Sequence, residues 1–139
     1  MLKIGQGDVG SIHGHAREAY PEECSGVVVG MRAEDGTKVV VDVWPAENTH
    51  EDERSRRFLI DPLVYMRFEE QADERDLEVL GIYHSHPDHP AEPSEYDREH
   101  AWPGWSYVIA SVSKDNVKDM RSWVLKDDRS GYAEETIVG

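Results

Sequence analysis

Cysteine is almost absent from this chain: Cys24 stands alone among 139 residues. A lone thiol excludes an intramolecular disulfide framework and any all-thiolate zinc site built within one chain. Long apolar runs are missing too. Those present are short and bounded by charges, well below the roughly 18 residues of a membrane span. The start, Met-Leu-Lys-Ile-Gly-Gln-Gly, has no apolar segment behind its lysine of the kind a secretory signal carries. The expectation is a soluble, cytoplasmic protein. Positive charge is scarce, with 15 Lys and Arg against 29 Asp and Glu and a net charge of -14. Such a field repels phosphate backbones and anionic headgroups, so neither nucleic acid nor a membrane is the expected partner. The same acidity would suit a salty cytoplasm, where a dense carboxylate surface stays hydrated. Repeats, low-complexity tracts and linkers are also lacking. With 38% hydrophobic residues in 139, the chain has material for one ordinary core, and residues 1–139 are expected to form one domain.

What is present is a series of short patterned segments. Ile12 to Tyr20 carries a weak helical pattern ended by Pro21. Gly26 to Met31 reads as a buried strand, Asp35-Gly36 as a turn and the valine-rich Lys38 to Trp44 as an antiparallel partner strand. Ala46 to Arg57 is polar and charged, as a loop would be. Phe58 to Ile60 reads as a strand, and Asp61 as the cap of a helix whose first position is Pro62. That helix is expected to bury Leu63, Met66, Phe68 and Leu77, with Arg67, Glu69 and Glu70 towards water. Leu77 to Tyr83 returns to strand character. The segment His84 to Pro93 contains three prolines, which argues against a regular helix or a central strand. Ser94 is placed to cap a short helix reaching about Trp102, before Pro103-Gly104. Tyr107 to Val112, Val117 to Leu125 and Tyr132 to Val138 read as strands. Strands and helices without strict alternation point to an α+β, mixed α/β, domain.

One constellation carries chemistry: His84-Ser85-His86, seven residues, then Ser94-Glu95-Tyr96-Asp97. Histidines at i and i+2 of a strand end face the same side, so both rings can reach one ion. Asp97, one turn into a helix capped at Ser94, can return its carboxylate to the same place. Two imidazoles and a carboxylate form a ligand set typical of catalytic zinc, with a fourth position left for water. Zinc lowers the pKa of that water to roughly 7. A lone His-x-His is more often an ordinary strand end, and it is the added Ser94 and Asp97 that turn the reading towards a site.

These residues resemble the JAMM, or MPN-plus, metalloproteases of the Mov34 superfamily, whose signature is His-x-His, seven residues, Ser, two residues, Asp. The likeness extends from Pro21 through Trp102-Pro103-Gly104 to Val112. It implies a single MPN/JAB-like domain with a mainly antiparallel sheet flanked by helices. It also implies zinc ligation by His84, His86 and Asp97, and support of the tetrahedral intermediate by Ser94. A glutamate at a Pro-x-Glu position serves as general base in that family. In Pro21-Glu22-Glu23-Cys24 this maps to Glu23, with Glu22 the neighbouring option. The expected reaction is hydrolysis of an amide: water loses its proton to Glu23 and attacks the carbonyl, and Glu23 passes the proton to the leaving amine. Taken alone, Glu22 and Glu23 would read as a solvated acidic pair.

The chain is barely longer than the family's core, which places it nearer the small prokaryotic members than those with large insertions. The resemblance therefore implies a ubiquitin-like sulfur-carrier protein, or a peptide, as substrate, its C-terminal tail adding as a strand beside the zinc. Three other readings stand beside it: a non-catalytic scaffold, a RadC-like protein and a peptidase or amidase for small substrates. His89 reads as a solvated loop residue, while His13, His15, His50 and His100 read as surface or capping residues. Cys24 is expected buried and inert, Trp102 and Trp105 in the core rather than walling the cleft, and Ser85 either holding the turn between the ligands or supporting them from behind.

Overall fold

The computed structural model describes residues 1–47, 62–99, 101–114 and 116–139. Its elements are β1 (Leu2–Lys3), α1 (Gln6–Ala19), β2 (Ser25–Arg32), β3 (Lys38–Ala46), α2 (Pro62–Glu74), β4 (Glu78–Pro87), α3 (Glu95–Glu99), β5 (Ser106–Val112), β6 (Val117–Leu125), β7 (Tyr132–Glu135) and β8 (Ile137–Val138). The strands form one sheet in the order β7-β6-β5-β4-β2-β3-β1-β8. Neighbours run antiparallel except β4–β5, β1–β3 and β1–β8. The α+β reading of the sequence holds. Only Thr136 separates β7 from β8, yet these strands lie at opposite ends of the order. The sheet therefore curls until its two edges nearly meet.

Alternation along β2 decides which helix covers which face. Val28 joins Ile12 and Ala16 of α1 in one core, while Val27 and Val29 pack with Ala72 of α2 in another. Two glycines let the curled strands approach. A side chain at Gly81 would place its Cβ 1.9 Å from the Ser106 carbonyl oxygen, and one at Gly26 would meet the Tyr83 ring at 2.2 Å. Among the described residues no helix is long and apolar enough to cross a membrane.

Several expectations need correction. Helix α1 begins at Gln6, well before Ile12; Gly7, Gly10 and Gly14 weaken its local signal, and burial of Ile12 and Ala16 against the sheet supplies what propensity lacks. On α2 the buried stripe is Tyr65, Phe68 and Ala72, leaving Leu63 and Met66 exposed. Strand β4 continues through the proline-containing stretch to Pro87 and is central. Ser85 N–H donates to the Cys24 carbonyl on the β2 side at 3.2 Å, and Pro87 faces that same side beyond the start of β2 at Ser25, so its missing donor leaves nothing unpaired. The final expected strand divides into β7 and β8, and β1 carries no periodic signal because it has two residues. Ala46 ends β3 instead of opening a loop. The rest of the expected loop from Asn48 to Arg57, the Phe58–Ile60 strand and the Asp61 cap lie outside the described residues.

Candidate metal centre

His84 and His86 occupy the end of β4, two residues apart, and both are buried. Ser85 between them faces the other way, and its Oγ accepts from the Cys24 N–H at 2.8 Å. Ser25 pairs with His84 across the β2–β4 ladder. Carrying that register on through Cys24 and Ser85 brings Glu23 opposite His86, from a segment far away in sequence. Glu23 is 2% exposed whereas Glu22 lies in water. Ligand atoms of Glu23, His84 and His86 all lie within 4.8 Å of one another.

Asp97 reaches the same place from α3. Its Oδ2 is 3.1 Å from His86 Nε2 and 3.4 Å from His84 Nε2, and the two Nε2 atoms are 3.2 Å apart. Ser94 prepares this arrangement through a reciprocal cap: Asp97 N–H donates to Ser94 Oγ at 3.1 Å and Ser94 N–H to Asp97 Oδ2 at 2.9 Å. The proline-rich spacer is held by side chains that donate to three successive carbonyls. Ser111 Oγ donates to His89, His86 Nδ1 to Pro90 at 2.9 Å and Trp123 Nε1 to Ala91 at 2.9 Å.

Electrostatics follow from this packing. Burial would raise the Asp97 carboxyl, but the charge of His84 and hydrogen bonds from both rings hold it far below the usual range. Burial pushes His84 down, against the pull of Asp97. For His86 burial acts the same way, yet its hydrogen bond to Asp97 and that group's charge win and raise it. Burial lifts the Cys24 thiol to about 11, which leaves it protonated and unreactive at neutral pH.

The donor set fits a metal ion. Tetrahedral ligands at about 2.0–2.1 Å stand roughly 3.3 Å apart, and the three donor atoms here stand 3.1–3.4 Å apart. Two neutral imidazoles and an ionised carboxylate are also the chemistry such a site requires.

The other residues marked in the sequence fall elsewhere. His89 is exposed, as expected of a loop histidine, and so is Trp102, which does not join the core. Trp105 packs half-buried between Tyr65 and Tyr107. His15 is half-buried, and its Nδ1 lies 2.7 Å from the buried Tyr83 hydroxyl. His13 is half-buried, and His50 and His100 lie outside the described residues. The supports from Ser111 and Trp123 come from strands remote in sequence, and no local spacing announces them. β5 flanks β4 to its end at Pro87, whereas the β2 ladder stops at His84.

Residues 6–126 match the family described as prokaryotic homologs of the JAB domain. A desampylase of Haloferax volcanii is 34% identical over 103 residues, 73% of each chain. A probable TtuB-protein conjugate cleaving protease of Thermus thermophilus is 31% identical over 109 residues, 78% of this chain and 69% of that one. The solution structure of a protein from Desulfitobacterium hafniense superposes with a TM-score of 0.86 at 31% identity, covering 99% of this chain and 92% of the other.

Proposed function

The chain belongs to the prokaryotic homologs of the JAB domain, and on that premise we propose that it is a zinc-dependent isopeptidase or peptidase acting at the C-terminal tail of a ubiquitin-like protein of the sulfur-carrier type. The observation that carries this reading is the convergence of His84 Nε2, His86 Nε2 and Asp97 Oδ2 within 3.1–3.4 Å, beside the buried Glu23. The names of the desampylase and the conjugate-cleaving protease support the substrate class. The proposal treats residues 1–139 as one domain working in the cytoplasm.

In this reading His84, His86 and Asp97 hold zinc, which when bound acidifies water to a pKa of roughly 7 and polarises a carbonyl. Glu23 takes the proton of the attacking water and delivers it to the leaving amine. Ser94 Oγ accepts from Asp97 N–H, so the hydroxyl proton is available for the oxygen that gains charge at the scissile carbonyl. Burial of the two histidines and Glu23 keeps bulk water from competing with these interactions. β4 is paired on both sides only from Gly81 to His84, and the extended tail lies beside the metal ligands beyond that stretch.

The test is incubation of the zinc-loaded protein with a ubiquitin-like carrier fused through its diglycine tail to a second protein, read by mass spectrometry. Cleavage after the diglycine, abolished by a chelator and by Glu23→Gln, is the expected result. Cleavage of short peptides alone would move the assignment to a small-substrate peptidase. Failure to bind zinc would overturn the mechanism.

A further inference from the structure

A helix of five residues has no stability of its own. The position of Asp97 therefore depends on what holds α3 at its two ends. The Ser94 cap holds the first. The second is held from outside, by the turn joining β6 to β7. Arg129 Nη1 donates to the Ala101 carbonyl at 2.9 Å and Nη2 to the Arg98 carbonyl at 3.4 Å. In return Arg98 Nη1 donates to the Arg129 carbonyl at 3.2 Å. Arg98 is itself steadied by Glu95, one turn back on α3.

The fork of one guanidinium thus ties the Arg98 carbonyl, which also accepts from the Ala101 N–H at 3.4 Å, to the Ala101 carbonyl just past the helix end. Arg129 has φ 61, a left-handed conformation uncommon outside glycine. Lys126 N–H to Gly131 O at 2.9 Å and Arg129 N–H to Lys126 O at 2.8 Å close the turn around it. A non-glycine residue persists in that conformation only where its surroundings hold it, and the Arg98–Arg129 exchange does so.

We infer that Arg129 is a positioning residue for the metal centre, holding α3 so that Asp97 Oδ2 meets the two imidazoles. This rests on the reading of Asp97 as a ligand. The residue acts through Asp97 and touches neither substrate nor metal.

The experiment measures cobalt(II) and zinc affinity, with the cobalt visible spectrum, for the wild type, Asp97→Ala, Arg129→Ala, Arg129→Lys and the Asp97→Ala/Arg129→Ala double variant. Loss of a group hydrogen-bonded to a metal ligand weakens binding about 10–100-fold; Arg129 acts one step further out, through the Arg98 and Ala101 carbonyls, so Arg129→Ala should weaken binding about 10-fold, with an altered cobalt spectrum. Arg129→Lys should recover only part of the loss, because an ammonium cannot fork between two carbonyls. In the Asp97→Ala background, Arg129→Ala should cost nothing further, since its effect passes through Asp97. An additive loss there would overturn positioning in favour of general destabilisation. Weakened binding by Asp97→Ala with none by Arg129→Ala would overturn the inference alone. Unchanged affinity in Asp97→Ala would overturn the ligand assignment and the inference with it. Should Arg129→Ala not fold, Arg129→Lys carries the same comparison.

Discussion

His86 Nδ1 lies 2.9 Å from the carbonyl oxygen of Pro90. A carbonyl only accepts, so the proton sits on Nδ1 and the neutral ring presents a bare Nε2 lone pair. That lone pair faces Asp97 Oδ2 at 3.1 Å, another acceptor. Without a cation the two repel unless His86 is protonated, and the raised pKa of His86 is the same fact in another form. A metal ion would relieve the conflict with both histidines neutral.

Metal should therefore stabilise the fold measurably. At a free concentration 100-fold above the dissociation constant, linkage adds about 2.7 kcal/mol, or roughly 10 °C in Tm for a chain of this size. Thermal melts in zinc and in a chelator measure the difference. Asp97→Ala should lose most of it.

Glu23→Gln should leave zinc affinity within a few-fold while turnover falls about 10²–10⁴-fold, the usual worth of a general base. Glu22→Gln changes an exposed carboxylate and should leave both unchanged. Single-turnover assays beside metal titrations separate the two roles open to Glu23: a variant that loses metal as Asp97→Ala does would make it a ligand.

Much of the site is written in short stretches of sequence. His84, Ser85 and His86 alternate along one strand, and Ser94 with Asp97 is a capping box; both obey local rules. Glu23 is different. Nothing in Pro21-Glu22-Glu23-Cys24 says which carboxylate is buried, because that depends on the β2–β4 register set far along the chain. The supports are less legible still. Trp123, Ser111 and Arg129 act on carbonyls, and a carbonyl has no residue-type signature. The fold shows the same division. The valine run of β2 and the Pro62 that opens α2 are local signals, whereas α1, with its internal glycines, is set by what it packs against. On α2 apolar composition misleads, since Leu63 and Met66 face outward while Tyr65 and Phe68 face in.

Ser94→Ala removes two things together, the cap of α3 and a hydroxyl donor. Loss of a cap costs about 0.5–2 kcal/mol, and loss of an oxyanion donor about 10²–10³ in turnover. Ser94→Thr keeps both groups and should stay near wild type. Turnover lost from Ser94→Ala with zinc affinity held would assign the donor role. Equal losses of turnover and zinc affinity would assign the cap alone.

At the far end of the sheet Glu135 and Lys38 form a buried ion pair, Nζ to Oε2 at 3.3 Å. Ser106 and Ser122 donate to Glu135 Oε1 at 2.6 and 2.9 Å, and Lys38 also donates to Ser106 Oγ at 2.8 Å. Burial would raise Glu135, but the Ser106 bond and the Lys38 charge outweigh it and hold the carboxyl below its ordinary 4.5. A carboxyl depressed on folding stabilises fully above its unfolded value and loses that contribution as pH falls through the folded one. Burial pulls Lys38 below 10.5 against the charge of Glu135, so its protonated form favours the unfolded chain and its cost is relieved only at alkaline pH. Acid sensitivity below 4.5 should thus come in part from Glu135. Glu135→Gln should flatten that acid slope and cost about 3–5 kcal/mol at neutral pH, since it leaves Lys38 buried without its counter-charge. Lys38→Met with Glu135→Leu should cost less than the sum of its single changes, because no unpaired charge remains. Urea midpoints taken across the acid range for the wild type, Glu135→Gln, the two single changes and the double variant decide it. An additive double variant would show that the pair is not coupled.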